Sequence, residues 1–173
     1  EAARNAGVLE ERDLGPISGE LEGVTAMDAV FDQTWVKRLD GTRVKQLTNK
    51  WEQAEALVAD IEKFRIDNEC DRLVMVWCGS TEAYQEVSAV HLSVAAFEQG
   101  LRDNDANISP SQIYAYAALV SGVPFANGAP NLSVDTPAMR ELALERGVPI
   151  AGKDFKTGQT LMKTILAPGL KAR

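Results

Sequence analysis

The chain has 173 residues, of which 45% are hydrophobic and 25% are charged. That length suits one globular domain with a core of its own, or a large piece of such a domain. The formal net charge of −7 at pH 7 argues against a nucleic-acid partner or an anionic membrane surface, because both select proteins with a basic face.

Residues 1–14, EAARNAGVLEERDL, have the pattern of a helix and lack the regions of a signal peptide. No stretch reaches the roughly 18 consecutive apolar residues of a membrane span. We therefore expect a cytoplasmic protein, and we expect Cys70 and Cys78, which lack a recognised disulfide or metal-site spacing, to be free thiols. Because the chain opens inside one helical pattern and stops as another finishes, we expect a segment of a longer protein.

Residues 49–69 have the pattern of an amphipathic helix, with Asn49 and Glu52 spaced as a capping box. Its apolar face repeats at helical spacing and comprises Trp51, Ala54, Leu57, Val58, Ile61 and Phe64. Residues 73–78, LVMVWC, follow as a short and continuous apolar run. Such a run is typical of a strand that is covered on both faces.

A second amphipathic segment, residues 87–104, leads to a clear helix start at residues 109–112, SPSQ. Ser109 is placed to cap this helix, Pro110 suits its first position, and Gln112 completes the capping box. Gly122 then predicts the end of the helix.

The chain next repeats one pattern. Residues 122–128, GVPFANG, and residues 147–153, GVPIAGK, each read as a helix-ending glycine, a short strand and a polar loop. Thr136 and Pro137 begin a helix between them. Shared turn chemistry is enough to explain the repeat. The alternation of strands and helices predicts an α/β fold with a doubly wound, mostly parallel, Rossmann-like sheet.

Three predicted strands end in small or polar residues, at residues 78–81, 127–131 and 152–154. In parallel α/β sheets, ligands bind outside the carboxyl ends of the strands, where loops and helix N-termini are presented. We therefore expect these three segments to lie at one edge of the sheet and to form the ligand site.

The last of these segments belongs to residues 152–160, GKDFKTGQT. Residues 157–160 are expected to open the final helix, whose N–H groups favour a phosphate or carboxylate. Lys156 and Lys163 are close to two helical turns apart, so both can reach one ligand, and a partly desolvated lysine can transfer protons. Asp154 is an acceptor beside them. The alternative is that Lys153 and Lys163 are surface lysines and Asp154 only a cap or ion-pair partner.

The remaining candidates are weaker. His91, the single histidine, lies in an amphipathic run, which favours a packed or surface position over a catalytic one. Glu82 and Tyr84 follow a strand end and can face the crevice, although such loop residues are usually structural or solvated. Neither GxxxxGK[ST] nor GxGxxG occurs in the chain.

Taken in order, three segments resemble the myo-inositol-1-phosphate synthase (inositol-3-phosphate synthase) family. Residues 77–84, WCGSTEAY, resemble the family's strand end of Trp, then Thr-Glu, then Tyr. Residues 127–131, NGAPN, are similar to its Asn-Gly-Ser-Pro loop, and residues 153–160, KDFKTGQT, are close to its Asp-Asp-Leu/Phe-Lys-Ser-Gly-Gln-Thr motif. Each motif alone is moderately specific; their order and spacing make the resemblance strong over roughly residues 70 to 165.

The resemblance implies an enzyme that converts glucose 6-phosphate to myo-inositol 3-phosphate with a tightly bound NAD. Such an enzyme oxidises C5, enolises the product, closes the ring by an intramolecular aldol step and reduces the ketone again. The resemblance also implies a cytoplasmic homotetramer that acts in inositol and phospholipid biosynthesis. Residues 1–173 would then be a partial NAD-binding domain, without the N-terminal glycine-rich loop and without the later catalytic and tetramer-forming half.

The same resemblance assigns roles to particular residues, and it implies no metal site. The residues assigned to NAD are Gly79, Ser80, Thr81, Asn127, Gly128, Ala129 and Asp154. Those assigned to catalysis are Asp154, Lys156 and Lys163. Those assigned to the substrate are Lys153, Lys156, Gln159 and Thr160.

One departure from the family bears on these roles. The family continues Gln-Thr-Lys-x-Lys, whereas here Leu161, Met162 and Lys163 follow, so one family lysine is missing. We expect the isolated chain to be inactive. Two alternatives are a nucleotide-fold binding or regulatory module without turnover, and a different NAD(P)-dependent dehydrogenase. A GxGGxxG-type loop upstream and further lysines downstream would favour the synthase.

Overall fold

The computed structural model describes residues 7, 10–155 and 162–173, with the backbone alone for Met162 and Lys163. Within these residues the strands form one parallel sheet in the order β1, β2, β3. The strands are β1 (Met75–Trp77), β2 (Phe125–Asn127) and β3 (Ile150–Ala151). The sheet and the helices between its strands confirm the predicted α/β class.

Helices precede, connect and follow the strands. The α-helices of the described residues are α1 (Glu11–Leu14), α2 (Ser18–Gly23), α3 (Lys50–Asp67), α4 (Val94–Arg102), α5 (Pro110–Val120), α6 (Pro137–Arg146) and α7 (Ala167–Lys171). Single turns of other helix types are Gly15–Ile17 and Ala89–His91, which are 3₁₀, and Met162–Leu166, which is π-helical. Across the described stretches, none of the helices combines the length and apolar character needed to cross a bilayer.

The helix starts predicted at Asn49, Ser109 and Thr136 are confirmed, because each depends on a side chain only a few residues away, whereas the start predicted at 157–160 lies outside the described residues. The Asn49 side chain accepts hydrogen bonds from the backbone N–H groups of Trp51 and Glu52. At α5, Ser109 and Gln112 form the expected capping box, with Pro110 at the first helical position. At α6, the cap is Thr136, which accepts from the N–H of Met139.

The two predicted helix-ending glycines also lie where expected. Gly122 has a φ of 70° just after α5, and Gly147 has a φ of 64° just after α6. These values belong to the left-handed region, where a side chain is disfavoured. A Cβ added at either glycine would meet no atom within 4 Å. The penalty for a larger residue at these positions therefore comes from the backbone alone.

The two faces of the sheet differ in burial. Met75, Phe125 and Ile150 are in register and face the core, where Phe125 is 1% exposed. Val76 lies in the alternate register, which faces the opposite side of the sheet, and is 46% exposed. The expectation that residues 73–78 form a strand covered on both faces is therefore wrong for the described part of the chain. A continuous apolar run shows that both faces are apolar, but it carries no information on which segment, if any, covers each face.

Helix α5 lies at the centre of the core. It packs between α3 and α6, and its Ile113, Ala117 and Leu119 are almost fully buried. The predicted apolar face of α3 is confirmed at Leu57, whereas Phe64 is 46% exposed. Helix α3 has 18 residues and α5 has 11, so part of α3 has no α5 beside it. The last turns of α3 consequently leave this apolar face uncovered.

Candidate functional site

The carboxyl ends of the three strands are joined by backbone hydrogen bonds. The N–H of Gly128 donates to the carbonyl of Trp77 at 2.9 Å, and the N–H of Phe155 donates to the carbonyl of Gly128 at 3.1 Å. The N–H of Asp154 donates to the carbonyl of Ala129 at 3.0 Å. The loops after β1, β2 and β3 therefore lie at one edge of the sheet, as the strand pattern predicted.

Two glycines permit this close approach. A Cβ at Gly128 would lie 2.6 Å from the carbonyl oxygen of Trp77 and 2.5 Å from Cε2 of Phe155. At Gly152, where φ is 94°, a Cβ would overlap the carbonyl oxygen of Asn127 and lie 2.9 Å from that residue's C and N atoms. Side chains at these positions would push the strand ends apart. The two glycines therefore let the ends of the three strands pack directly against one another.

A cleft of about 530 Å³ opens at this edge. One wall is formed by residues 81–87 and the other by residues 130–132, with Asp135 and Lys153 at the far side. This volume lies within the range of roughly 300–1,000 Å³ that is usual for small-molecule sites. The walls come from the β1 and β2 loops, so the position of one loop against the other sets the width of the cleft.

Lys153 and Asp135 form an ion pair at the cleft. The Nζ of Lys153 donates to Oδ2 of Asp135 at 2.8 Å, and both side chains are partly exposed. Partial burial alone would raise the pKa of Asp135. Hydrogen bonds from Lys153 and from the backbone N–H groups of Ser133 and Asp135 outweigh it and hold this pKa below its ordinary value. Among the described residues that line the cleft, Lys153 is the one cation, and an anionic ligand would compete with Asp135 for it.

Glu82 lines the same cleft, but its carboxylate points to the start of α5. Its two oxygens accept hydrogen bonds from Ser111, one from the backbone N–H at 2.8 Å and one from the hydroxyl at 2.6 Å. The backbone N–H of Glu82 donates to Oδ1 of Asn131 at 2.9 Å. Burial raises the pKa of Glu82, and the hydrogen bonds from Ser111 and Ser109 only partly offset that effect. Of the two roles considered for Glu82, the structural one is realised.

His91 is completely buried and fully hydrogen-bonded, which agrees with the expected packed position. Its Nδ1 accepts from the N–H of Ser88 at 3.0 Å, so the proton of the neutral ring is on Nε2. Nε2 lies 3.1 Å from the carbonyl of Asn107 and 3.2 Å from Oε1 of Gln112. Nε2 of His91 also lies 3.2 Å from Nε2 of Gln85 in the first cleft wall, and Gln112 donates to the carbonyl of Leu132 in the second, so His91 ties the two walls together.

The buried polar side chains of the described residues all gather beneath this cleft. They are Glu82, His91, Ser109, Ser111, Gln112, Asn127, Asn131, Ser133 and Thr136. Buried polar groups destabilise a fold unless they are hydrogen-bonded, so a dense cluster of this kind holds its loops in one arrangement. Most of this cluster is hydrogen-bonded and supports the cleft walls, whereas the hydroxyl of Ser133 is buried without a hydrogen-bond partner among the described residues.

The structure places the predicted NAD-assigned residues on the three loops. Gly79, Ser80 and Thr81 are exposed after β1, and Asp154 is exposed after β3 with a φ of 65°. Asn127 is buried, and its side chain holds its own loop by donating to the carbonyl of Asn131 and accepting from the N–H of Ala129. The backbone N–H and carbonyl groups of Gly128 and Ala129 are all hydrogen-bonded within the protein, to Trp77, Phe155, Asn127 and Asp154.

Several predicted residues cannot be located. Lys156, Gln159 and Thr160 lie outside the described residues, as does the side chain of Lys163. Tyr84, considered as a crevice residue, does line the cleft and is 87% exposed. Cys70 and Cys78 are free, as expected. Within the described ranges, no group of three His, Cys, Asp or Glu side chains is placed to hold a metal ion.

Sequence inspection did not identify Ser111, Asn131 or Asp135 as supports of the site. Their partners are 18 or more residues away in the chain, and local pattern carries no signal of such contacts. The one available indication was position: Asn131 and Ser111 each lie within a predicted loop or helix start at the carboxyl edge.

Comparisons with known proteins place the chain among relatives of one kind. The model of an NAD-binding domain described as myo-inositol-1-phosphate synthase matches residues 1–170. Inositol-3-phosphate synthase 1 of Bacteroides thetaiotaomicron is 52% identical over 174 residues, which is all of this chain and 41% of that protein. Inositol-3-phosphate synthase of Trypanosoma brucei brucei is 34% identical over 168 residues, covering 95% of this chain and 32% of the relative.

A solved structure agrees with these matches. The crystal structure of inositol-3-phosphate synthase from Caenorhabditis elegans superposes with a TM-score of 0.84 at 27% sequence identity. The superposition covers 96% of this chain and 33% of the nematode chain. The chain thus spans less than half the length of the relatives it matches.

Proposed function

This chain belongs to the myo-inositol-1-phosphate synthase family, and we propose that it forms the NAD-facing part of an enzyme that converts glucose 6-phosphate to myo-inositol 3-phosphate. The observation that carries the proposal is the meeting of three motif-bearing loops at one edge of a parallel sheet, joined by backbone hydrogen bonds. Because the chain covers 41% of its Bacteroides relative, the complete reaction is assigned to the longer protein.

The residues at this edge fit a dinucleotide. The cleft of about 530 Å³ has room for part of an elongated ligand, and Thr81 is the NAD-assigned residue that lines it. We assign the contacts with NAD to Gly79, Ser80 and Thr81, to Asn127, Gly128 and Ala129, and to Asp154. When bound, NAD supplies reversible hydride transfer. The protein's part is to hold the sugar carbon against it and to exclude competing water.

The proposed substrate residues follow the same edge. Lys153 has a cationic group beside the cleft, where it is able to exchange Asp135 for a substrate phosphate. Lys156 and Lys163 are assigned to proton transfer and to the negative charge that develops during enolisation, with Gln159 and Thr160 as phosphate ligands. A positioned lysine is suited to both tasks, because desolvation lowers its pKa toward neutrality.

Substitution of Lys156 in the full-length enzyme tests this assignment. We expect Lys156→Ala to lower kcat by about 100-fold or more with NAD still bound, since a positioned acid–base group contributes roughly 10²–10⁴-fold. Lys171→Ala is the matched control: Lys171 ends α7 and is exposed. Steady-state kinetics with glucose 6-phosphate distinguish the roles. An equal rise of KM in both variants, with kcat unchanged, would show a general electrostatic effect and would remove Lys156 from the mechanism.

The location, oligomeric state and pathway of the longer protein are part of this proposal. We assign the longer protein to the cytoplasm as a homotetramer, and to inositol and phospholipid biosynthesis. Light scattering coupled to size-exclusion chromatography reports the oligomeric state. The isolated 173-residue chain, given NAD and glucose 6-phosphate, is expected to form no inositol phosphate. Turnover by this chain alone would show that the catalytic groups are complete within it.

A further inference from the structure

Glu82 connects the two walls of the cleft through its side chain and its backbone. Both carboxylate oxygens are occupied by Ser111, whose N–H belongs to the second residue of α5. The backbone N–H of Glu82 is occupied by the Asn131 side chain, which belongs to the opposite wall. With 7% of its surface exposed, Glu82 is held on all sides.

The contacts continue beyond Glu82 to the end of β2. The carbonyl of Asn131 accepts from the Asn127 side chain at 2.9 Å, and Asn127 also receives the N–H of Ala129. The start of α5, Glu82, Asn131 and Asn127 therefore form one chain of hydrogen bonds. Displacement of Glu82 would free residues 79–81 on one side and loosen residues 127–131 on the other.

We propose that Glu82 is a positioning residue for NAD: by anchoring to α5 it fixes the 79–81 loop against the 127–131 loop at the width the cofactor requires. This inference rests on the proposed function, because it takes these loops to be the NAD-facing ones. Glu82 acts through the loops rather than on the reacting atoms, since both of its carboxylate oxygens are bonded to Ser111.

The partners of Glu82 explain why the shape of the side chain matters more than its charge. The carboxylate receives a helix amide and a hydroxyl from Ser111. Glutamine keeps an oxygen for the amide of Ser111 and offers an N–H to the hydroxyl, which is able to accept. Alanine keeps neither, and leaves a buried helix amide without a partner. Glu82→Gln is therefore the conservative variant and Glu82→Ala the disruptive one.

The test measures NAD binding by titration calorimetry in the full-length enzyme, with NAD alone as the ligand. We expect Glu82→Ala to raise the Kd for NAD by about 10-fold or more, and Glu82→Gln to stay within about 3-fold of the parent, because displaced loops lose contacts while rescued loops keep them. Glu141→Ala is the matched control. Glu141 also accepts a helix N-terminal amide, that of Val94, but lies outside the cleft lining.

The outcomes separate three cases. A Kd that Glu82→Ala leaves unchanged, or that Glu141→Ala raises equally, overturns the positioning role. A parent enzyme that fails to bind NAD overturns the proposed function itself, and with it this inference. If Glu82→Ala does not fold, Asn131→Ala carries the test, because it removes the side chain that accepts from the Glu82 N–H and donates to the carbonyl of Ser80, and so uncouples the two loops while leaving the anchor on α5. A raised Kd in that variant supports the proposal, and an unchanged Kd overturns it.

Discussion

Substitution of Gly152 by alanine tests whether the sheet edge depends on the close approach of β3 to β2. The φ of 94° at Gly152 disfavours any side chain, and a left-handed backbone costs an L-residue about 1–2 kcal/mol. The new Cβ would also overlap the carbonyl oxygen of Asn127, which is backbone and has no rotamer to change. Overpacking of this kind costs about 1–3 kcal/mol. The two effects together predict a loss of about 2–5 kcal/mol in the free energy of unfolding.

Gly147→Ala is the control that introduces backbone strain without a contact like the one between Gly152 and Asn127. Gly147 also has a positive φ, of 64°, but its Cβ would meet no atom within 4 Å. We expect this control to lose only about 1–2 kcal/mol. Urea denaturation of both variants and the parent measures the difference, provided the m value is unchanged. The additional loss in Gly152→Ala reports the contact with Asn127.

The same two variants can be compared for their binding of NAD. Because the Asn127 backbone leads into the 127–131 loop, Gly152→Ala is expected to weaken NAD binding, whereas Gly147→Ala, outside the cleft, is not. Equal losses of stability in the two variants would refute the argument that the Asn127 backbone resists displacement. Normal NAD binding by a destabilised Gly152→Ala protein would refute the link between this contact and the cleft.

Three further predictions concern charge and packing. Burial raises the pKa of Glu82, so its contribution to stability is present below the ordinary glutamate pKa and is lost as pH rises through the raised value. The urea midpoint of Glu82→Gln should therefore gain on that of the parent as pH rises above the ordinary glutamate pKa. The pKa of Asp135 is lowered, so its contribution to stability has the opposite pH dependence: it is present at neutral pH and is lost in acid. Asp135→Asn should therefore lose about 0–1 kcal/mol of unfolding free energy at neutral pH, and nothing once acid has protonated Asp135 in the folded parent. Phe97→Ala, at a fully buried position, should lose about 3–5 kcal/mol in the same assay without altering the Kd for NAD, because Phe97 lies in the helix layer away from the cleft.

Features set by short-range chemistry were predictable from the sequence. The caps at Asn49, Ser109 and Thr136 depend on N–H groups two or three residues away, and the glycines after α5 and α6 depend on backbone conformation at one position. The shared edge of the strands followed from the alternation of strand and helix, because parallel strands of one sheet end on the same side.

Features set by contacts across the fold were not predictable. The anchoring of Glu82 to Ser111 requires a loop to meet the start of α5, and the pairing of Lys153 with Asp135 requires two loops to meet. Residue type alone indicates neither contact. The exposure of Val76 depends on what covers the second face of the sheet. An apolar pattern predicts that a side chain is covered, but it does not indicate which segment covers it.

The sheet register has a consequence for the order in which the fold assembles. Met75 pairs with Phe125, and Phe125 with Ile150, so closing the first pair spans roughly twice as much chain as closing the second. Each doubling of a loop adds about 0.6 kcal/mol to the entropy of closure, and distant pairings form slowly. We expect β2, α6 and β3 to associate early and β1 to dock late. Residues 79–81 would then reach their final position only in the last step of folding, and a ligand that binds them would slow unfolding more than it speeds refolding.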